Sequence, residues 1–156
     1  MRVTVGWPGF AGTDVLGPAL ALPAGLEVDD DAYEAARVAA GVPRSGIDLD
    51  ADTIPAEGGA ALIEAAVSFT KGCYTGQELV ARIDSRGGNV PRPLRLLRAE
   101  AGLAVGADVL ADGAVVGTVS SAAGRVGLAR VLRKVEPGAA VEVGGVPAVV
   151  EAAGSS

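Results

Sequence analysis

The sequence contains no histidine, which removes the usual general base of neutral-pH catalysis and the Ser-His and Cys-His dyads. Its single cysteine, Cys73, excludes an internal disulfide and fits a reducing compartment. With one cysteine and no histidine, a structural zinc site fails on ligand count, and no metal is expected. Aromatic residues supply only 3% of the chain, so any core must be built from Ala, Val and Leu. No apolar run approaches the roughly 18 residues of a spanning helix, and Met1-Arg2-Val3-Thr4-Val5 does not read as a secretory signal. The expectation is a cytoplasmic protein without a membrane partner.

What remains is ample for folding: 156 residues, 49% of them hydrophobic, enough for one domain or two small ones. The net charge of −6 weighs against direct nucleic-acid binding. It is also unevenly spread. Residues 1–66 carry 3 basic and 11 acidic side chains, whereas residues 71–98 set Lys71, Arg82, Arg86, Arg92, Arg95 and Arg98 against Glu78 and Asp84. Such a stretch is either a solvated face or a local anion site in an acidic protein.

The basic stretch begins at Lys71-Gly72-Cys73-Tyr74-Thr75-Gly76-Gln77-Glu78, which holds the sole cysteine and the only lysine before position 134. Thr75 and Glu78 stand at capping-box spacing and predict a helix running to about Ser85, ended by Gly87-Gly88. Leu79, Ile83 and Val80 would form its buried stripe, with Arg82 and Arg86 opposite at i, i+4 spacing. Gly72-Cys73-Tyr74 then enters a helix N-terminus, where unpaired amides favour anions, a thiolate included. The spacing Gly72-x-x-x-Gly76 is no P-loop, because Gln77 follows where Lys-Ser/Thr is needed.

Upstream, Val3 to Val5 reads as a strand, Trp7 to Gly12 as a turn and Asp14 to Leu16 as the returning strand. The aspartates 29–31 can cap a helix through Ala32–Ala40, stopped by Gly41 with Pro43 beyond. Asp48, Asp50 and Asp52 alternate, but Pro55 and the missing terminal glutamate break the calcium-loop pattern, leaving an acidic loop. Ala60 to Phe69 is a short apolar helix or strand. Past the extended Asn89–Pro93 the period becomes two, with strands at 94–98, 108–110, 115–119, 126–132, 140–143 and 147–151. Asp112-Gly113 and similar turns separate them, as in a small antiparallel barrel or sandwich.

These residues also carry a family resemblance. Lys71-Gly72-Cys73-Tyr74-x-Gly76-Gln77-Glu78, followed by Ala81-Arg82, resembles the signature of the folate-binding YgfZ proteins of the aminomethyltransferase (glycine-cleavage T-protein) superfamily. Arg37-x-x-x-Gly41-x-Pro43-Arg44-x-Gly46-x-Asp48 is similar to the family's upstream helix and loop, joined by Ile54-Pro55-x-Glu57 and Val67-Ser68-Phe69-Thr70. Val116-Gly117-x-Val119-Ser120-Ser121 and Gly127-Leu128-Ala129 resemble its C-terminal barrel. Family members run longer, and this chain reads as lacking their N-terminal half. Ala39 stands in place of the family's usual acid, and Pro93 where an arginine is common.

The resemblance implies an α+β fold: a partial ferredoxin-like αβ domain over residues 1–90, then a small antiparallel β-barrel over residues 91–156. It implies tetrahydrofolate or a derivative as ligand, and a role in assembly or repair of iron–sulfur clusters, including those of tRNA-modifying enzymes. Iron–sulfur client proteins and the missing N-terminal half are the implied partners. Lys71, Arg37, Arg44 and Arg82 become candidate contacts to folate carboxylates, and Cys73 a candidate reactive thiol. Two alternatives are a folate-dependent aminomethyl or one-carbon transferase and a truncated, non-catalytic interaction module.

Overall fold

The computed structural model describes residues 1–156 except 22–23, 26, 28, 86–88 and 155–156. Arg86 and the helix end expected at Gly87-Gly88 lie outside the described residues. The fold is α+β, and its largest part is a closed six-stranded antiparallel barrel. The strands are β3 (Leu94–Ala99), β4 (Asp108–Ala111), β5 (Ala114–Ala123), β6 (Val126–Val131), β7 (Ala140–Val143) and β8 (Val146–Ala152). Their order around the barrel is β3-β6-β5-β4-β7-β8, and β8 pairs back onto β3. Period-two alternation explains the filling. Leu97, Val109, Val116, Val119, Ala129, Val131, Val143 and Val150 form one continuous core of small branched residues. Asp112 and Gly113, both at positive φ, form the two-residue turn joining β4 to β5, as Asp-Gly predicts.

Ahead of the barrel come the hairpin β1 (Arg2–Trp7) and β2 (Phe10–Val15), then α1 (Asp30–Ala39), a 3₁₀ turn (Pro55–Gly58), α2 (Ala60–Ala66) and α3 (Gln77–Ser85). The returning strand starts four residues earlier than the sequence suggests, because Phe10 pairs directly with Trp7 across a tight turn. An isolated two-stranded ribbon is marginal alone. Two contacts tie it to α1: Trp7 Nε1 donates to the Ala40 carbonyl at 3.0 Å, and Phe10 meets Tyr33 edge-on at 5.6 Å.

Helix α1 starts as its aspartates dictate: the Asp29 side chain accepts from the Ala32 amide at 2.8 Å. It ends at Gly41, whose φ of +71° suits only glycine and whose Cα faces the Gly154 backbone so closely that a Cβ would lie 2.5 Å from Gly154 N. Its apolar face is narrow. Val38 packs with Leu94, Leu96 and Leu128 in a second cluster on the outside of the barrel. Full burial of that valine contributes about 1.5–3 kcal/mol, so apolar contact alone is a thin attachment. Polar contacts supply the rest.

Candidate functional site

The run from Lys71 to Glu78 forms the connection from α2 into α3. Ser68 Oγ accepts from the Lys71 amide at 3.3 Å, and Gly76 turns the chain into the helix. The expected Thr75–Glu78 capping box is not what closes this turn. Gln77 does so: its amide N–H donates to the Tyr74 carbonyl at 3.2 Å, and its Oε1 accepts from the Tyr74 amide at 3.1 Å. The Gln77 Nε2 donates to Cys73 Sγ at 3.6 Å. A flipped carboxamide would set its NH₂ against the Tyr74 N–H, so one orientation serves both contacts and fixes the thiol. Cys73 is exposed, and Lys71 Nζ stands 4.5 Å from the centroid of the Tyr74 ring, a cation–π pair. Lys71, Cys73, Tyr74 and Gln77 are thus brought together; Gly72 leads the chain between them, and Glu78 is exposed in the first turn of α3.

On α3 the expected buried stripe is corrected at Leu79, which is 45% exposed. The half-buried pair Val80 and Ile83 instead face a groove of about 840 Å³. Ala56, Ile63, Val67, Phe69, Val90 and Pro93 add apolar wall, while Glu64, Arg95 and Arg133 add charge. The Lys71–Glu78 run therefore lies between two groove-lining positions, Phe69 and Val80. Arg82 is exposed on the same helix and makes contacts of its own.

Arg37 and Arg44 belong to a different constellation, in which the supposed acidic loop takes part. Arg37 is 3% exposed and all its N–H groups are engaged. Nη1 donates to the Val42 carbonyl at 2.6 Å and to Asp48 at 3.0 Å. Nη2 donates to Glu34 at 2.8 Å and Ser121 Oγ at 2.9 Å, and Nε donates to Glu34 at 3.2 Å. None is left for a ligand. Asp48, 1% exposed, also accepts from the Arg44 amide at 2.8 Å and from Ser120 Oγ at 2.5 Å. The Arg44 side chain pairs with Glu34 and is 43% exposed.

Neighbouring strand residues ordinarily point to opposite faces, yet Ser120 and Ser121 both reach this ion pair. A β-bulge allows it: Val119 pairs with Ala129 and Ser121 with Leu128, leaving Ser120 as the extra residue. A second tie runs beside it. Arg130 donates to Thr53 Oγ1 at 2.6 Å and to Asp50 at 2.8 Å, and Glu57 accepts from the Arg92 amide at 3.2 Å. The Thr53 hydroxyl, bonded to Asp50 at 2.5 Å, is the main reason that the Asp50 carboxyl titrates below its ordinary value, with Arg130 adding to it. Sequence reasoning missed Asp48, Ser120 and Ser121 as partners. The clue was that Arg37, Asp48 and Ser120-Ser121 all fall inside the matched motifs.

No family model matches the chain. An uncharacterised protein of Haemophilus influenzae is 43% identical over 68 residues, 44% of this chain and 24% of that protein. The human mitochondrial iron–sulfur cluster assembly factor IBA57 is 42% identical across 72% of this chain and 33% of its own length. Coverage of that extent takes in the middle of the chain, where Lys71 to Glu78 lie. The glycine cleavage system aminomethyltransferase T from Bartonella henselae superposes with a TM-score of 0.57 at 19% identity, over 78% of this chain and 37% of that one. The fold is part of the aminomethyltransferase fold. The chain spans between a quarter and about two fifths of the length of these relatives.

Proposed function

We propose that this protein is a tetrahydrofolate-binding accessory factor for the assembly or repair of iron–sulfur clusters, acting in the cytoplasm. Clusters of tRNA-modifying enzymes are among its targets in this reading. One observation carries it: the 42% identity to IBA57, a cluster assembly factor by name, over most of this chain. The folate comes from the family resemblance of the Lys71–Glu78 run, and the aminomethyltransferase-like fold supports it.

The residues present fit such a ligand in kind. Folate carries a flat pterin edged with hydrogen-bond donors and acceptors at one end and carboxylates at the other, so it needs flat walls with hydrogen-bonding groups and cations at the rim. The groove beside α3 supplies the walls, with Lys71 on the adjoining run and Arg82 on α3 as cations, and Arg44 on the further constellation. When bound, tetrahydrofolate would supply a reduced, one-carbon-carrying ring. The chain's own part is to hold that ring, orient its carboxylates and present the exposed Cys73 thiol to a client protein. In this reading residues 1–90 carry the folate-binding region and residues 91–156 the barrel that braces it.

The test has two arms. Calorimetric titration with 5-formyltetrahydrofolate should show one saturable site. In cells deleted for the gene, the activity of a [4Fe–4S] dehydratase per unit of its polypeptide should fall, and this chain should restore it. Unchanged cluster enzymes in the deletion would end the assembly reading. The shared fold also favours a second reading, a folate-dependent one-carbon transferase, which requires methylene-tetrahydrofolate to form from an aminomethyl donor.

A further inference from the structure

Several arginines are spoken for by carboxylates: Arg37 by Glu34 and Asp48, Arg44 by Glu34, Arg98 by Glu151, and Arg130 by Asp50. The two that line the groove are different. Among the described residues the guanidinium groups of Arg95 and Arg133 make no hydrogen bond and no ion pair, and Arg95 Nε is buried without an acceptor. A buried, unmatched donor on a cation costs the full desolvation of that group. Burial accordingly pulls the Arg95 pKa below the ordinary arginine value, and the more distant Glu136 offsets this in part. Arg95 shares its strand face with Leu97 and Ala99, whose side chains belong to the barrel core, so it is anchored by the sheet. Against these two cations the groove sets one carboxylate, Glu64.

We infer that this groove is a binding site for a small amphipathic anion: a flat or elongated apolar body ending in a carboxylate or sulfonate, with Arg95 and Arg133 reading the anionic end. The volume of about 840 Å³ lies within the range of small-molecule sites. Ile63, Val67, Val80 and Ile83 give the body an apolar bed, and Phe69, 57% exposed, offers a ring at the groove for it to stack on. The Arg95 guanidinium, held by the sheet without an internal partner, is pre-organised for an anion, and Arg133 adds a second cation beside it. The inference rests on the proposed reading in taking this groove as the ligand site and deepens it by naming the two arginines that read the anionic end.

The test compares two near-isosteric fluorescent probes on the full chain: the anionic 1-anilinonaphthalene-8-sulfonate and the neutral N-phenyl-1-naphthylamine. Arg95→Met and Arg133→Met should each weaken the anionic probe, by about tenfold for Arg95, as expected for loss of a charge-assisted hydrogen bond. The neutral probe should change less than about twofold, and added salt should weaken only the anionic one. Ala60→Phe, which projects a ring from an exposed lining position, should displace both. Equal weakening of both probes in the arginine variants, or no weakening of either, overturns the inference. Arg133 is exposed, so its variant carries the test should Arg95→Met fold poorly. Competition by 5-formyltetrahydrofolate is scored against the folate reading: a probe held in an Arg95-dependent way but not displaced retains the groove and removes folate from it.

Discussion

Replacing Asp48 should loosen the joint between α1 and the barrel more than any other single change in the loop 42–53. The carboxylate is 1% exposed and accepts from Arg37 at 3.0 Å, the Arg44 amide at 2.8 Å and Ser120 at 2.5 Å. Asp48→Ala removes all three acceptors and leaves a 3%-exposed guanidinium with Glu34 as its remaining carboxylate. Breaking a buried pair by deleting one partner costs about 3–5 kcal/mol. Asp48→Asn separates charge from shape. The amide oxygen can keep the Arg37 and Arg44 donors on one side. Its NH₂ can donate to Ser120, whose hydroxyl then turns wholly to the Leu128 carbonyl, already 3.1 Å away. Only charge assistance is lost, about 1–2 kcal/mol. Guanidinium unfolding read by Trp7 fluorescence is the assay, because the sole tryptophan is bonded to Ala40 at the end of α1. A cost below about 1 kcal/mol for Asp48→Ala at unchanged m would refute the reasoning, and an equal cost for both variants would refute the hydrogen-bond part of it.

Further outcomes follow from other contacts. Lys71→Ala should weaken 5-formyltetrahydrofolate severalfold by calorimetry; unchanged affinity would move the carboxylate contact elsewhere. Native Cys73, being exposed, should be alkylated stoichiometrically by iodoacetamide, and Gln77→Ala should change the rate by releasing the thiol from Nε2; identical rates would mean that this contact does not hold the thiol. Gly41→Ala should cost about 2 kcal/mol or more, from positive φ and from a Cβ pressed on the Gly154 backbone, measured by thermal unfolding. Asp50 titrates below the ordinary carboxylate value in the folded chain, chiefly through its Thr53 hydrogen bond, so its contribution is present above the unfolded pKa and lost as pH falls through the folded one. Asp50→Asn should therefore flatten the acid limb of the stability profile below about pH 4 and leave the neutral limb's shape unchanged.

The barrel was legible because alternation and turn chemistry agree in each strand: Val115–Val119, Asp112-Gly113 and Val126–Leu132 can hardly be read another way. The start of α1 was legible for the same local reason, an aspartate before a run of helix formers. The ion-pair joint was not. Asp48 looks like one member of an acidic alternation with Asp50 and Asp52, and only tertiary contact with β5 distinguishes it. Arg37 was expected at a ligand, since a sequence shows the charge of an arginine and not the carboxylates that absorb it. The groove was hidden for the converse reason: Val80 and Arg95 are ordinary residues far apart in sequence that only the tertiary fold brings to the lining of one groove.

The bulge at Ser120 bears on how such proteins can be recombined. A barrel of the same strand order but one residue shorter in β5 would still close and still bury its valines. It would turn one serine away, and the Arg37–Asp48 pair would meet an unmarked surface. The extra residue therefore acts as a compatibility mark between the two parts of the chain. Barrels exchanged between relatives should join productively only when they carry it.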